Sequence, residues 1–114
     1  MITVYGIPNC DTVRKARAWL DEQGLAYQFH DFKKAGVPSE QFDDWLARFG
    51  WETVINRRGT SWRRLPAGER AAMNTNRARE AIAANPSLIK RPVVTKGEQT
   101  LIGFDADQWQ EALA

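Results

Sequence analysis

The chain has one cysteine, Cys10, and one histidine, His30, among its 114 residues. A lone cysteine excludes an internal disulfide and fits a reducing compartment, so the cytoplasm is the expected location. Zinc and iron–sulfur centres need more ligands than one cysteine and one histidine supply, so no metal site is expected. Long apolar runs are also missing, and nothing approaches the ~18–20 continuous apolar residues of a membrane span. Met1-Ile2-Thr3-Val4 has neither the basic start nor the apolar stretch of a signal peptide. Charge is nearly balanced: 16 basic against 14 acidic residues leave a net charge of +2, too small to mark a nucleic-acid binder by charge alone.

What the chain does hold is 43% apolar residues, with five tryptophans. That is enough for one sizeable core, so residues 1–114 read as a single domain. Ile2-Thr3-Val4-Tyr5 reads as a strand that breaks at Gly6-Ile7-Pro8-Asn9. A helix opens at Asp11 with Val13, Ala16 and Leu20 on one apolar face and Trp19 beside them. Gly24 and a second strand-like run, Tyr27 to Phe32, complete a β-α-β unit. Phe42, Trp45, Leu46 and Phe49 have the spacing of an amphipathic helix ending at Gly50. From Trp51 to Asn85 the chain reads as helical or irregular, with a helix through Ala78, Ala81 and Ile82. Leu88 to Thr95 and Thr100 to Gly103, joined by Lys96-Gly97-Glu98-Gln99, read as a β-hairpin. Asp105 caps a last helix carrying Ala106, Trp109 and Leu113, with Gln108 placed for a capping-box-like arrangement.

Cys10 falls at the turn from the first strand into the first helix. The unpaired N–H groups and partial positive charge of a helix start stabilise a thiolate, drawing a cysteine pKa below its free value of ~8.5. Arg14, Lys15 and Arg17 crowd the same helix. Cations there are unfavourable by roughly 0.3–1 kcal/mol each at exposed sites, and Asp11 offsets only part of that, which suggests that an anion is held nearby. Arg14, one turn from Cys10, is the candidate for direct contact; the alternative is that these side chains simply solvate a surface helix. The phosphatase pattern C-x5-R fails, because the required position is Ala16. His30, alone on a strand beside Asp31, reads as structural or solvated. Arg57, Arg58, Arg63 and Arg64 flank Trp62, a composition able to bind single-stranded nucleic acid. The favoured reading is a solvated insertion with Trp62 packed inward, so nucleic acid is not an expected partner.

The order β-α-β, helical insertion, β-β-α, with a cysteine at the first turn and Pro92 opening the third strand, resembles the α/β thioredoxin-like fold. The resemblance implies a central mixed four-stranded sheet, a helical insertion at about 37–85 and a cis bond before Pro92. More closely, the chain resembles the arsenate reductase (ArsC) and Spx family, specifically its small YffB-like members. The likeness rests on Tyr5-Gly6-Ile7-Pro8-Asn9-Cys10-Asp11-Thr12, Asn56-Arg57-Arg58-Gly59-Thr60, Ile89-Lys90-Arg91-Pro92-Val93 and Gly103-Phe104, in this order. It implies that Cys10 is the redox-active thiol and that Arg91 lies close to it, able to lower its pKa and to pair with a bound carboxylate or oxyanion. The family places another site arginine near Arg57 and Arg58, of which Arg58 fits the pattern better.

Departures from the arsenate reductase pattern limit what carries over. Those enzymes have a histidine four residues before the cysteine, a Gly-Thr-Ser run after it and an arginine near the fourth strand; here these positions are Gly6, Asp11-Thr12-Val13 and Phe104. Thr12 is the hydroxyl retained. Thioredoxins and Spx also use Cys-x-x-Cys, whereas the position three after Cys10 is Val13, so a resolving thiol must come from outside. The expected activity is therefore a glutathione-dependent thiol-disulfide reductase acting on a small-molecule or protein disulfide, with no tightly bound cofactor. Cys10 is its nucleophile, and Thr12, Arg14, Arg58, Arg91 and Pro92 are the glutathione-binding candidates. The alternatives are an Spx-like regulator that contacts RNA polymerase, and an arsenate reductase using glutathione.

Overall fold

The computed structural model describes every residue from Met1 to Ala114. The chain divides into two compact units, one built from Met1–Ala35 with Arg91–Ala114 and the other from Gly36–Lys90. No helix is long and apolar enough to cross a membrane.

In the first unit, β1 (Ile2–Gly6), α1 (Asp11–Glu22) and β2 (Tyr27–Asp31) form the β-α-β segment, followed by the single-turn helix α2 (Phe32–Ala35). The strands β3 (Val93–Lys96) and β4 (Gln99–Ile102) return as a hairpin and lead into the last helix, Ala106–Leu113. The sheet order is β2-β1-β3-β4, with β1 parallel to β2 and antiparallel to β3. This mixed four-stranded sheet with its β-α-β and β-β-α halves is the thioredoxin-like architecture expected from the sequence. Val4 sits opposite both Phe29 and Val94, so its face of the sheet gathers apolar side chains from three strands.

That face forms the core. Ile2, Val4, Ala16, Leu20, Val94, Trp109 and Leu113 make one buried cluster, so the first and last helices both pack on it. Full burial of each Leu- or Val-sized side chain is worth roughly 1.5–3 kcal/mol. Trp109 is completely buried, and its indole N–H donates to the Gly103 carbonyl at 3.1 Å, which removes the cost of an unpaired donor. Its ring meets Phe104 edge-on at 5.0 Å. Asp105 accepts the Gln108 N–H at 3.1 Å, the expected cap.

The second unit holds α3 (Ser39–Phe49), α4 (Trp51–Val54), α5 (Thr60–Arg63), α6 (Ala67–Ala71) and α7 (Thr75–Ala84), then a 3₁₀ turn at Pro86–Leu88; the last helix of the chain is thus α8. Phe42, Trp45 and Leu46 are buried, and Gly50 N–H closes α3 by bonding to Leu46 O at 2.9 Å. Leu88 and Ile89, read from the sequence as the start of a strand, belong instead to this unit. Asn85 Oδ1 accepts the Ser87 N–H at 3.1 Å and Pro86 opens the turn without an N–H of its own. Only Ile89 pairs like a strand residue, in an isolated antiparallel bridge with Ile55. The β3–β4 loop is also tighter than expected, because Lys96 and Gln99 pair directly and leave Gly97-Glu98 between them.

Candidate functional site

Cys10 occupies the N-cap of α1 with extended backbone (φ −142°, ψ 125°). This position normally belongs to Ser, Thr, Asp or Asn, whose side-chain oxygen accepts an N–H of the first turn. The Cys10 side chain makes no such cap bond. The N–H groups of Val13 and Thr12 nevertheless favour the ionised form of the sulfur.

Gly6 explains how the helix start comes so close to the strand. A Cβ at Gly6 would lie 2.9 Å from Val13 Cγ2, and Val13 is completely buried. The first turn of α1 therefore rests directly on the end of β1, and residues 7–10 span a short fixed gap.

Arg91 completes the arrangement. Val93 pairs with Tyr5 across the antiparallel β1–β3 ladder, which sets Arg91 and Pro92 beside the end of β1 from which the Cys10 loop leaves. The Arg91–Pro92 peptide bond is cis, as expected, and Pro92 O accepts the Gly103 N–H at 2.8 Å. The Arg91 guanidinium hydrogen-bonds the Cys10 sulfur. Burial of the sulfur is the largest single influence on its titration and pushes the thiol pKa up. The Val13 N–H, the hydrogen bond and charge of Arg91, and the Thr12 N–H together outweigh it, leaving Cys10 below its ordinary value.

The other candidates fall in different places. Thr12 contributes its backbone N–H to the sulfur rather than its hydroxyl. Arg14 is tied to both neighbours of Cys10: it pairs with Asp11 Oδ1 at 2.7 Å and donates to Asn9 Oδ1. Arg17, one of the cations crowding α1, lies over the Phe29 ring at 4.1 Å and donates to Tyr27 Oη at 3.1 Å. His30 packs against Tyr5 and Phe32, with ring centroids 5.2 and 5.8 Å away. Arg58 belongs to the second unit. There it lines an open groove of about 710 Å³ with Glu52, Thr53, Asn56, Arg57, Trp62 and Lys90. Trp62, expected to pack inward, is only half-buried and forms part of that groove.

Nothing in the sequence marks Asn9 as a partner of Arg14. The N–H groups of the helix start, expected to favour a thiolate, are those of Val13 and Thr12.

A thioredoxin-like α/β unit, with a lone cysteine capping its first helix and an arginine before a cis proline, defines the class of protein. The chain belongs to the ArsC family, whose sequence profile matches residues 5–112. The solved structure of the YffB protein is similar over 100% of both chains, with a TM-score of 0.95 and 46% identity. The solution structure of an arsenate reductase (ArsC) related protein from Brucella melitensis matches 96% of this chain and 92% of its own, with a TM-score of 0.79 and 43% identity. The global transcriptional regulator Spx of Streptococcus agalactiae is 32% identical over 110 residues, covering 95% of this chain and 80% of that protein.

Proposed function

We propose that this protein is a cytoplasmic, glutathione-dependent thiol-disulfide reductase whose nucleophile is the Cys10 thiolate, with no tightly bound cofactor. The observation that carries this reading is the set of donors on the sulfur: the Arg91 guanidinium and the N–H groups of Val13 and Thr12. In the proposed cycle, Cys10 Sγ attacks the glutathione sulfur of a mixed disulfide, and the other sulfur leaves as a thiolate that takes up a proton. A second glutathione thiolate then attacks the glutathione sulfur bound to Cys10. Oxidised glutathione departs and the Cys10 thiolate is restored, so one disulfide is reduced and one formed.

Arg91 is proposed to bind a glutathione carboxylate, with Pro92 bounding the site. Arg14 can join it at little cost. Its ion pair with Asp11 is exposed, with side-chain accessibilities of 57% and 88%, and such pairs are worth roughly 0–1 kcal/mol. Exchanging Asp11 for a substrate carboxylate therefore sacrifices little.

The test is glutathione-coupled reduction of a mixed disulfide by wild-type and Cys10→Ser protein, with mass spectrometry of the intermediate. The reading requires a single glutathione adduct on Cys10 that added glutathione removes. Full activity in Cys10→Ser would end it. Adding arsenate as substrate in the same assay tests arsenate reduction, the further alternative. A second reading, favoured by the 32% identity to Spx over 95% of this chain, is a regulator that contacts RNA polymerase. It calls for polymerase capture unaffected by Cys10→Ser, with no disulfide turnover.

A further inference from the structure

We infer that the groove of the second unit is a nucleotide-binding site, in which Arg57, Lys90 and Arg58 take the phosphate and Trp62 takes the base. Its walls are built rather than incidental. Asn56 N–H bonds to Leu88 O and Lys90 N–H to Val54 O, both at 2.8 Å, on either side of the Ile55–Ile89 bridge. These bonds hold Lys90 in a fixed register against the strand-like segment that leads to Arg57. Asn56 then turns the chain back, its Oδ1 accepting the Arg58 N–H at 3.3 Å. Gly59 is needed for that turn, because a Cβ there would come within 2.9 Å of Asn56 Nδ2 and 3.3 Å of Asn56 O.

Charge in this unit is distributed to the same effect. Asp43 and Asp44 on α3 are paired with Arg79 and Arg48, at 2.7 and 2.8 Å. Arg57, Arg58, Arg63, Arg64 and Lys90 have no carboxylate partner, and Glu52 is the one acidic residue in the groove. Four of these five cations are arginine, whose planar fork matches phosphate. Arg57 is braced over the Trp51 ring at 5.7 Å, and Trp51 in turn contacts Trp62 at 6.2 Å. Cations at a groove whose wall includes a half-buried indole are the combination that binds a phosphate with a flat base. A carboxylate peptide would use the arginines but would have no need of the half-buried ring.

The phosphate and base could come from a free mononucleotide or from single-stranded nucleic acid, and the test separates them. Full-length protein is titrated with adenosine monophosphate and, separately, with a fluorescent oligothymidylate, following tryptophan emission and anisotropy at rising salt. Oligothymidylate affinity should fall with salt at a slope of about −0.7 per phosphate contacted. Arg57→Gln and Lys90→Gln should each lower that slope by about the share of one contact. Trp62→Leu should weaken binding roughly ten- to a hundredfold. Saturation by the monophosphate alone, with the same Trp62 dependence, assigns the site to free nucleotide. The inference is overturned if neither ligand binds at low salt. It is equally overturned if polyglutamate binds as tightly as the oligomer while Trp62→Leu changes nothing. Trp62→Phe keeps a ring in place and serves where the leucine variant fails to fold. Arg58, expected from the sequence to bind glutathione, is left unaltered, so the two readings fail separately.

Discussion

Replacing Arg91 with glutamine removes both the charge and the hydrogen bond that the guanidinium brings to Cys10. A hydrogen bond to a charged group is worth about 1.5–3 kcal/mol when shielded. Cys10 and Arg91 are both only half-buried, so solvent screening reduces this to about 1 kcal/mol. At about 1.4 kcal/mol per factor of ten, the thiolate population below the midpoint of the titration should fall about fivefold. The remaining thiolate is more basic, and with a Brønsted slope of about 0.4–0.5 it should be about twice as nucleophilic. Iodoacetamide alkylation followed across pH should therefore cross over. Arg91→Gln should react about two- to threefold more slowly than wild type below both midpoints and about twofold faster above them. A merely structural role for Arg91 would displace the two profiles without a crossing. Superimposable or parallel profiles would refute the assignment of Arg91 as the group that holds the thiolate.

Two further outcomes follow from the same geometry. Because the thiol pKa of Cys10 is lowered in the folded chain, its contribution to stability is complete above the unfolded value of about 8.5 and is lost as pH falls through the folded value. Urea denaturation of wild type and Cys10→Ala should therefore show a stability gap that widens as pH rises through the neutral range, and a constant gap would contradict the lowered pKa. Gly6→Ala places a methyl group against fully buried Val13. It should cost about 1–3 kcal/mol of stability and slow Cys10 alkylation by displacing the helix start, and a neutral effect in both assays would show that α1 is free to move.

Much of this fold was legible because helices of ten residues or more repeat their pattern often enough to be seen. Val13, Ala16 and Leu20 face the core as their spacing requires, as do Phe42, Trp45 and Leu46. The four- and five-residue helices α4, α5 and α6 are too short for periodicity to register, and they remained an undivided helical or irregular stretch. Leu88 and Ile89 were misread because an apolar pair does not reveal whether its backbone partners lie on a sheet or on a turn. Asn85 and Pro86, immediately before them, carried the deciding signal. At the site, Cys10, Arg91 and the cis bond before Pro92 were legible from local sequence combined with the family resemblance. The engagement of Arg14 with Asn9 and Asp11, and the partial exposure of Trp62, depend on where side chains end up in three dimensions and leave no linear trace.

The first unit is assembled from the two ends of the chain, with Gly36–Lys90 between them. On the ribosome Cys10 emerges before β3 and the arginine that precedes it, which arrive only after that intervening segment has been made. Until then the nascent chain displays a cysteine without its guanidinium, facing the thiols and oxidants of its surroundings with less thiolate than the finished protein carries. Reactivity of this cysteine thus changes with completion of the sheet, because the guanidinium that favours its thiolate reaches it only once β3 has joined β1.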